Sequence, residues 1–282
     1  MDRIAYVNGS FVPFADATVP VTDRGFLFAD GIYEVAAVLG GRLVDNDAHL
    51  ARLERSLDAI RIRNPHSREA WAALEAEVVR RNALDEGLVY LQVTRGAAER
   101  DFAFPPSGTE PTVVLFTQPK SILVSPQAET GIGVVTVEDL RWRRRDIKSV
   151  ALLAQVLAKQ AAVEAGVGEA WMVEEGLVTE GSSSTAFIIT ADRKLVTRPL
   201  STAILPGVTR RAVMRLAEEH DLTVEERPFS VEEAKGAAEA FNTSASAIVL
   251  PVVSIDGVPV GDGRPGPLTK RLRELYLDFA RG

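Results

Sequence analysis

Apolar and polar positions alternate along the chain in two periods, one that fits strands and one that fits amphipathic helices. Near the start, YVNGSFV sets Asn8-Gly9 between two apolar alternations, the signature of a two-residue hairpin. Gly31–Leu39 is an apolar run of strand length, and Gly40-Gly41 turns it into a short strand at 42–44. The period then becomes helical. Leu50, Leu53, Leu57 and Ile60 fall on one stripe, with Asp47 near its start, and a second helix is predicted around Trp71, Leu74 and Val78. Strands return at 88–94 and 112–117. Residues 1–117 therefore read as a small α+β domain.

Residues 118–130, QPKSILVSPQAET, carry two prolines and no period, and read as a linker. Residues 131–282 read as a larger domain. It holds a strand at 132–137, a helix at 149–165 closed by Gly166, a hairpin through Glu175-Gly176 and a strand at 186–190. A helix at 208–220 follows Pro206-Gly207, then strands near 222–225, 240–243 and 248–253, and a final helix at 268–280. The fold class is α/β.

Composition narrows the function. The 282 residues suffice for two domains of ~100–200 residues each. There is no cysteine, which excludes disulfide scaffolds, thiolate zinc sites and cysteine nucleophiles, and fits a reducing cytoplasm. The net charge of −7 argues against a duplex nucleic-acid binder. The longest apolar stretches, 150–158 and 247–253, fall short of the ~20 residues that span a bilayer, and MDRIAYVNG has no apolar signal-peptide core. Nucleic-acid and membrane partners are not expected. The GxGxxG match at Gly261–Gly266 is spurious, because 16 residues follow it and a dinucleotide fold needs a longer βαβ unit. The three histidines have no metal-ligand spacing.

Four segments share one chemical logic. Of the 32 basic residues six are lysine, and one of them, Lys148, stands in DIKSV after Arg141, Arg143, Arg144 and Arg145. A lysine amine becomes a nucleophile once it loses its proton, which nearby cations and burial promote, whereas arginine does not deprotonate. VTEGSSS places the Glu180 carboxylate at a strand end before small hydroxyls. LPGVTRR runs Leu205, Val208 and Thr209 into a helix start, whose unpaired N–H groups favour phosphate. Asn242-Thr243-Ser244-Ala245-Ser246 offers small polar groups after a strand. Taken singly, these segments read equally as a solvated basic turn, surface turns and an ordinary helix start. Together they supply an amine, an acid and a phosphate cradle, the set that a pyridoxal phosphate site requires.

The runs YVNGSFV, DRGFLFADGIYEV, HLARL, YLQVTRGAAER, DIKSVALLAQVLAKQ, VTEGSSS, LPGVTRR and PVVSIDG span almost the whole chain in order. In them the chain resembles the fold-type IV pyridoxal-phosphate aminotransferases, most closely the D-amino acid transaminases. The resemblance implies two α/β domains with the active site between them. It also implies a homodimer whose partner completes each site, with amino donors and 2-keto acids such as 2-oxoglutarate or pyruvate as substrates. Residue by residue, Lys148 matches the lysine that holds the cofactor covalently and Glu180 the acid facing its pyridine nitrogen. Arg52, Val208, Thr209 and Ser244 match phosphate and cradle contacts, and Leu205 the residue packed on the ring. Tyr33 matches a pocket tyrosine, and Arg100 an arginine that grips the substrate carboxylate.

Two departures follow from the same comparison. Phe102 stands where the family usually has a histidine beside that arginine, which removes one hydrogen-bond donor and predicts weaker carboxylate binding, by about 10–100-fold. Arg24, Arg143 and Arg145 are candidates to compensate, and the loss leaves room for (R)-amines. Ala245 replaces a usual threonine. An aminodeoxychorismate lyase or a branched-chain aminotransferase of the same fold would share most of these residues. A non-enzymatic phosphate-ligand binding module would need only Arg52, Thr209 and Ser244.

Overall fold

A computed structural model describes residues 3–281; Met1, Asp2 and Gly282, which the domain limits above include, lie outside the described residues. The chain divides into two compact units. The first runs to Ser121 and takes in Ile147–Ala151, and the second holds Ile122–Asp146 and the described residues from Leu152 onward.

In the first unit six antiparallel strands form a sheet in the order Ser10–Pro13, Ile4–Val7, Thr112–Pro119, Glu86–Thr94, Gly31–Leu39, Arg42–Leu43. The first hairpin turns through Asn8 and Gly9 with φ of 45° and 94°, as a turn with two left-handed residues requires. Helices Asn46–Ala59 and Arg68–Arg81 cover the sheet. Leu50, Leu53 and Leu57 meet Trp71, Val78, Ile32, Leu91 and Leu115 in its core. Each such leucine contributes about 2 kcal/mol by leaving water.

The sequence assigns Lys148 to the larger domain, but the structure packs its segment into the first unit. Ile147 is buried in the core just described. The Tyr33 N–H donates to the Lys148 carbonyl and the Val150 N–H to the Gly31 carbonyl, both at 3.0 Å. An apolar anchor and backbone pairing thus override chain proximity. The following helix is shortened to Leu153–Glu164, because Ser149 bridges Ile32 in antiparallel pairing and that extended backbone cannot take a helical turn. The predicted linker narrows as well. One strand runs to Pro119, and Pro126–Thr130 is helical, with proline in the first turn, where its missing N–H costs nothing.

In the second unit the described strands form a nine-stranded mixed sheet. Thr185–Ile189, Glu239–Ser244 and Ile248–Ile255 are antiparallel neighbours near its middle, and Ile132–Glu138 and Glu169–Glu174 continue it in parallel. Trp171, Ile188, Phe229 and Val252 share its core. Helix Val208–Glu219 begins after Gly207, and Pro267–Arg281 closes the described chain. Helix Leu153–Glu164 buries Ala158 and Ala162 against Met172 and leaves Leu153, Val156, Leu157 and Val163 exposed within this chain. Residues 261–266 form turns before the last helix, as the failed dinucleotide motif implied. No helix among the described residues is long and apolar enough to cross a membrane.

Candidate active site

In the first unit the Lys148 amine lies over the Tyr33 ring, 4.1 Å from its centroid. The side chain is half-buried, and its backbone N–H donates to Ser56 Oγ at 3.4 Å. Tyr33 is fixed in turn by stacking on Tyr90, with centroids 5.6 Å apart. Ser56 and Arg52 share the helix Asn46–Ala59, one turn apart, so a single helix serves both residues.

Beneath them lies a buried charge cluster that the sequence reading missed. Glu34 accepts from Arg52 Nε and Nη2, both at 2.7 Å, and its carboxylate meets His49 Nδ1 at 2.8 Å. Burial works against the Glu34 charge, but Arg52 and His49 outweigh it and hold the carboxyl well below the ordinary range. Burial also lowers the His49 pKa, with the Arg52 and Lys148 charges adding to it and Glu34 opposing, so the ring is neutral. Period-2 burial of the strand and the three-residue step from His49 to Arg52 are the signals that point to this cluster.

Glu75 titrates in the opposite direction. Burial and the Glu34 charge push it up to about 7, although Asn46 Nδ2 donates to it at 2.8 Å. The folded state therefore keeps a proton between the ordinary value of 4.5 and about 7 that the unfolded chain has released, and stability falls as pH rises through that window. The loss is about 3 kcal/mol in all. Glu75→Gln should flatten this slope and raise stability above pH 7. Urea unfolding of both proteins from pH 4.5 to 8 checks it, and parallel curves would refute it.

In the second unit Glu180 is buried at the end of strand Leu177–Gly181. Its Oε1 accepts from the Leu205 N–H at 3.1 Å and from Arg141 Nη1. Burial raises the Glu180 pKa, with Arg141 and the Leu205 N–H opposing. Arg141 also forks onto Asp139, Nε to Oδ1 at 2.9 Å and Nη2 to Oδ2 at 2.7 Å, and Thr179 Oγ1 donates to Asp139 at 2.6 Å. Three of the four arginines expected to bear on Lys148, Arg141, Arg144 and Arg145, are thus spent on carboxylates of their own unit. Arg145 pairs with Glu174 and Asp139, and Arg144 with Asp146. Arg141 is a contributor to the acid's setting that the sequence reading did not single out.

The residues expected to cradle a phosphate come from two strands and one helix. Val208 and Thr209 are buried at the start of their helix, whose first N–H groups receive no side-chain cap. The position a Gly207 Cβ would take is 2.9 Å from Thr185 Oγ1, so only glycine lets the helix start sit this close to the strand. Thr185 pairs with Thr243, one residue before Ser244, whose Oγ is 3.4 Å from Ser246 Oγ. Thr243 Oγ1 and Asn242 Nδ2 are buried without a hydrogen-bond partner. The uncapped N–H groups and the unpaired Thr243 hydroxyl, which shares a sheet face with Thr185 beside the helix start, fit an anionic, hydrogen-bonding group such as pyridoxal phosphate, whereas Asn242 faces the opposite side with Trp171.

Other predicted residues stand apart. Arg100 is exposed, with its guanidinium 5.3 Å and 5.5 Å from the Phe28 and Phe102 ring centroids, and Phe102 is 80% exposed. Arg24 is committed to Asp30 at 2.9 Å and to the Asp101 carbonyl. With Arg145 also paired, Arg143, which is exposed, is the candidate left without an ion pair among the described residues.

Residues 31–255 match the amino-transferase class IV family. The chain belongs to the class IV aminotransferases. A D-alanine aminotransferase of Staphylococcus aureus (strain COL) is 40% identical over 279 residues, covering 99% of this chain and 98% of the relative. One of Bacillus licheniformis is 40% identical over 268 residues, covering 94% and 93%. Among solved structures, the Escherichia coli branched-chain amino acid aminotransferase matches with a TM-score of 0.91 at 25% identity, covering 99% of this chain and 95% of that one. A T.th. branched-chain amino acid aminotransferase with pyridoxamine 5'-phosphate matches with a TM-score of 0.91 at 26% identity, covering 99% and 94%. The expectation of a fold-type IV aminotransferase is therefore met, and the phosphate-ligand module is set aside for an enzyme.

Proposed function

We propose that this class IV aminotransferase is a cytoplasmic enzyme that moves an amino group between D-amino acids and 2-keto acids with pyridoxal phosphate. Identity of 40% across nearly the full length of D-alanine aminotransferases is the observation that carries the choice of substrate. When bound, the cofactor supplies an electron sink for the pair released at the donor's Cα. Lys148 would hold it covalently, and its amine would take the Cα proton as general base. Glu180 holds a proton on the pyridine nitrogen. Arg52, the Val208 N–H, Thr209 and Ser244 hold the phosphate, Leu205 packs on the ring, and Tyr33 lines the substrate pocket. Kinetics are ping-pong.

The reading includes a homodimer in which Arg100 of one copy grips the substrate carboxylate in the other. The exposed stripe Leu153, Val156, Leu157 and Val163 supports a second copy as its cover. Leu157→Glu should shift the protein from dimer to monomer in sedimentation, and an unchanged dimer would remove the stripe from the interface.

Exposed Phe102 favours a second activity on (R)-amines, which need no carboxylate trap. Stopped-flow half-reactions with D-amino acids, branched L-amino acids and (R)-amines test both readings. D-alanine should convert the cofactor band, and (R)-1-phenylethylamine should do so more slowly. Phe102→His should lower the KM for D-alanine by about tenfold and leave the amine unaffected. A preference for branched L-amino acids would overturn the D-amino acid reading and favour the branched-chain amino acid activity named for the structural relatives.

A further inference from the structure

The strand that follows the Ser244 turn begins with a strained residue. Ile248 has a φ of 63°, the left-handed region that a β-branched side chain rarely enters. Its side chain is buried, so an isoleucine is kept there for the core although glycine would suit the backbone. A force must hold that backbone, and the structure supplies it from the last helix. Arg273 Nη1 donates to the Ala247 carbonyl at 2.7 Å and to the Val249 carbonyl at 3.0 Å, one on each side of Ile248. Its Nη2 donates to the Ile122 carbonyl at 2.6 Å.

This is an unusual use of a cation. Arg273 is 8% exposed, and among the described residues it forms no ion pair with a carboxylate. Burial lowers its pKa, and the charge of Glu129 offsets this only in part. A buried guanidinium that faces neutral carbonyls costs more than an apolar residue of similar volume. Tying the helix to the sheet would require one such bond at any point of the strand. Here two bonds straddle the single strained residue, directly after the turn at 245–247.

We propose that Arg273 is a positioning residue for the cofactor: its fork on the carbonyls beside Ile248 holds the turn at 245–247 in the shape that lets Ser244 receive the phosphate. The inference rests on the reading that Ser244 contacts that phosphate. Arg273 touches no reacting group and acts through the turn.

The test measures dissociation constants of pyridoxal phosphate, and of pyridoxal, which lacks the phosphate, in four proteins, with urea stability in parallel. These are the wild type, Ser244→Ala, Arg273→Met and Arg273→Met combined with Ile248→Gly. Arg273→Met should weaken pyridoxal phosphate by about tenfold and leave pyridoxal unchanged. Ile248→Gly should restore most of that affinity in the double variant, because glycine takes the left-handed conformation freely, even though the lost side chain lowers stability. Equal weakening of both ligands, or absence of rescue, would reduce Arg273 to a structural tie and overturn the proposal. If Arg273→Met does not fold, Arg273→Gln serves, since its amide ends where the arginine Nε stands and cannot reach the carbonyls that Nη1 holds, and the same outcomes apply. Ser244→Ala separates the two levels. If it leaves pyridoxal phosphate affinity intact, the turn does not hold the phosphate and both claims fall. If it weakens affinity while Arg273→Met does not, the inference alone falls.

Discussion

Lys148→Ala should lower turnover by at least about 10³-fold and abolish covalent attachment of the cofactor. The amine over the Tyr33 ring is half-buried and borne on a segment anchored by Ile147 and by paired backbone, so it is held rather than left to sweep through solvent. A fixed amine has the orientation that nucleophilic attachment and proton transfer both need. Lys148→Arg sharpens the result. It keeps a cation near Tyr33 but cannot lose its proton, so it should be as inactive as alanine if the amine is chemical rather than electrostatic. Methylamine should restore part of the turnover of Lys148→Ala by supplying a free base. Steady turnover in either variant, measured with D-alanine and 2-oxoglutarate, would defeat the assignment.

Glu180→Gln should lower turnover by about 10²–10³-fold while attachment at Lys148 persists. The carboxylate is buried, receives the Leu205 N–H, and is balanced between burial, which raises its pKa, and Arg141, which opposes. Glutamine preserves the shape and the ability to accept from Leu205, but it carries no charge to keep a proton on a pyridine nitrogen. Arg141 stays anchored on Asp139, so the fold has little reason to change. Glu180→Asp keeps the charge and should fall between the wild type and glutamine. Wild-type turnover in Glu180→Gln would show that the acid does not govern the ring.

Much of this is legible in the sequence. The Asn8-Gly9 hairpin, the Leu50, Leu53, Leu57 stripe and the strand Gly31–Leu39 follow from local period and turn chemistry alone. Other features depend on distant partners. The segment around Lys148 joins the first unit through Ile147 and two backbone bonds to a strand more than a hundred residues earlier, which no local pattern reveals. The arginine run after Asp139 reads as one basic patch, but in the fold each member has its own carboxylate or none. Glu34 and Glu75 look like ordinary strand and helix residues; burial raises both, and the Arg52 and His49 partners that Glu34 holds and Glu75 lacks drive their titration apart. Ile248 follows a turn of small residues, Ala245, Ser246 and Ala247, and nothing local announces that a β-branched residue would sit at a positive φ there.

The central claim is that one amine, at position 148, carries the cofactor. Reduction of the holoenzyme with tritiated borohydride, followed by peptide mapping, tests it most directly. The account predicts loss of the visible band and label confined to the peptide that contains Lys148. Label on another lysine such as Lys159, or a protein that stays colourless and unlabelled after incubation with pyridoxal phosphate, would contradict it.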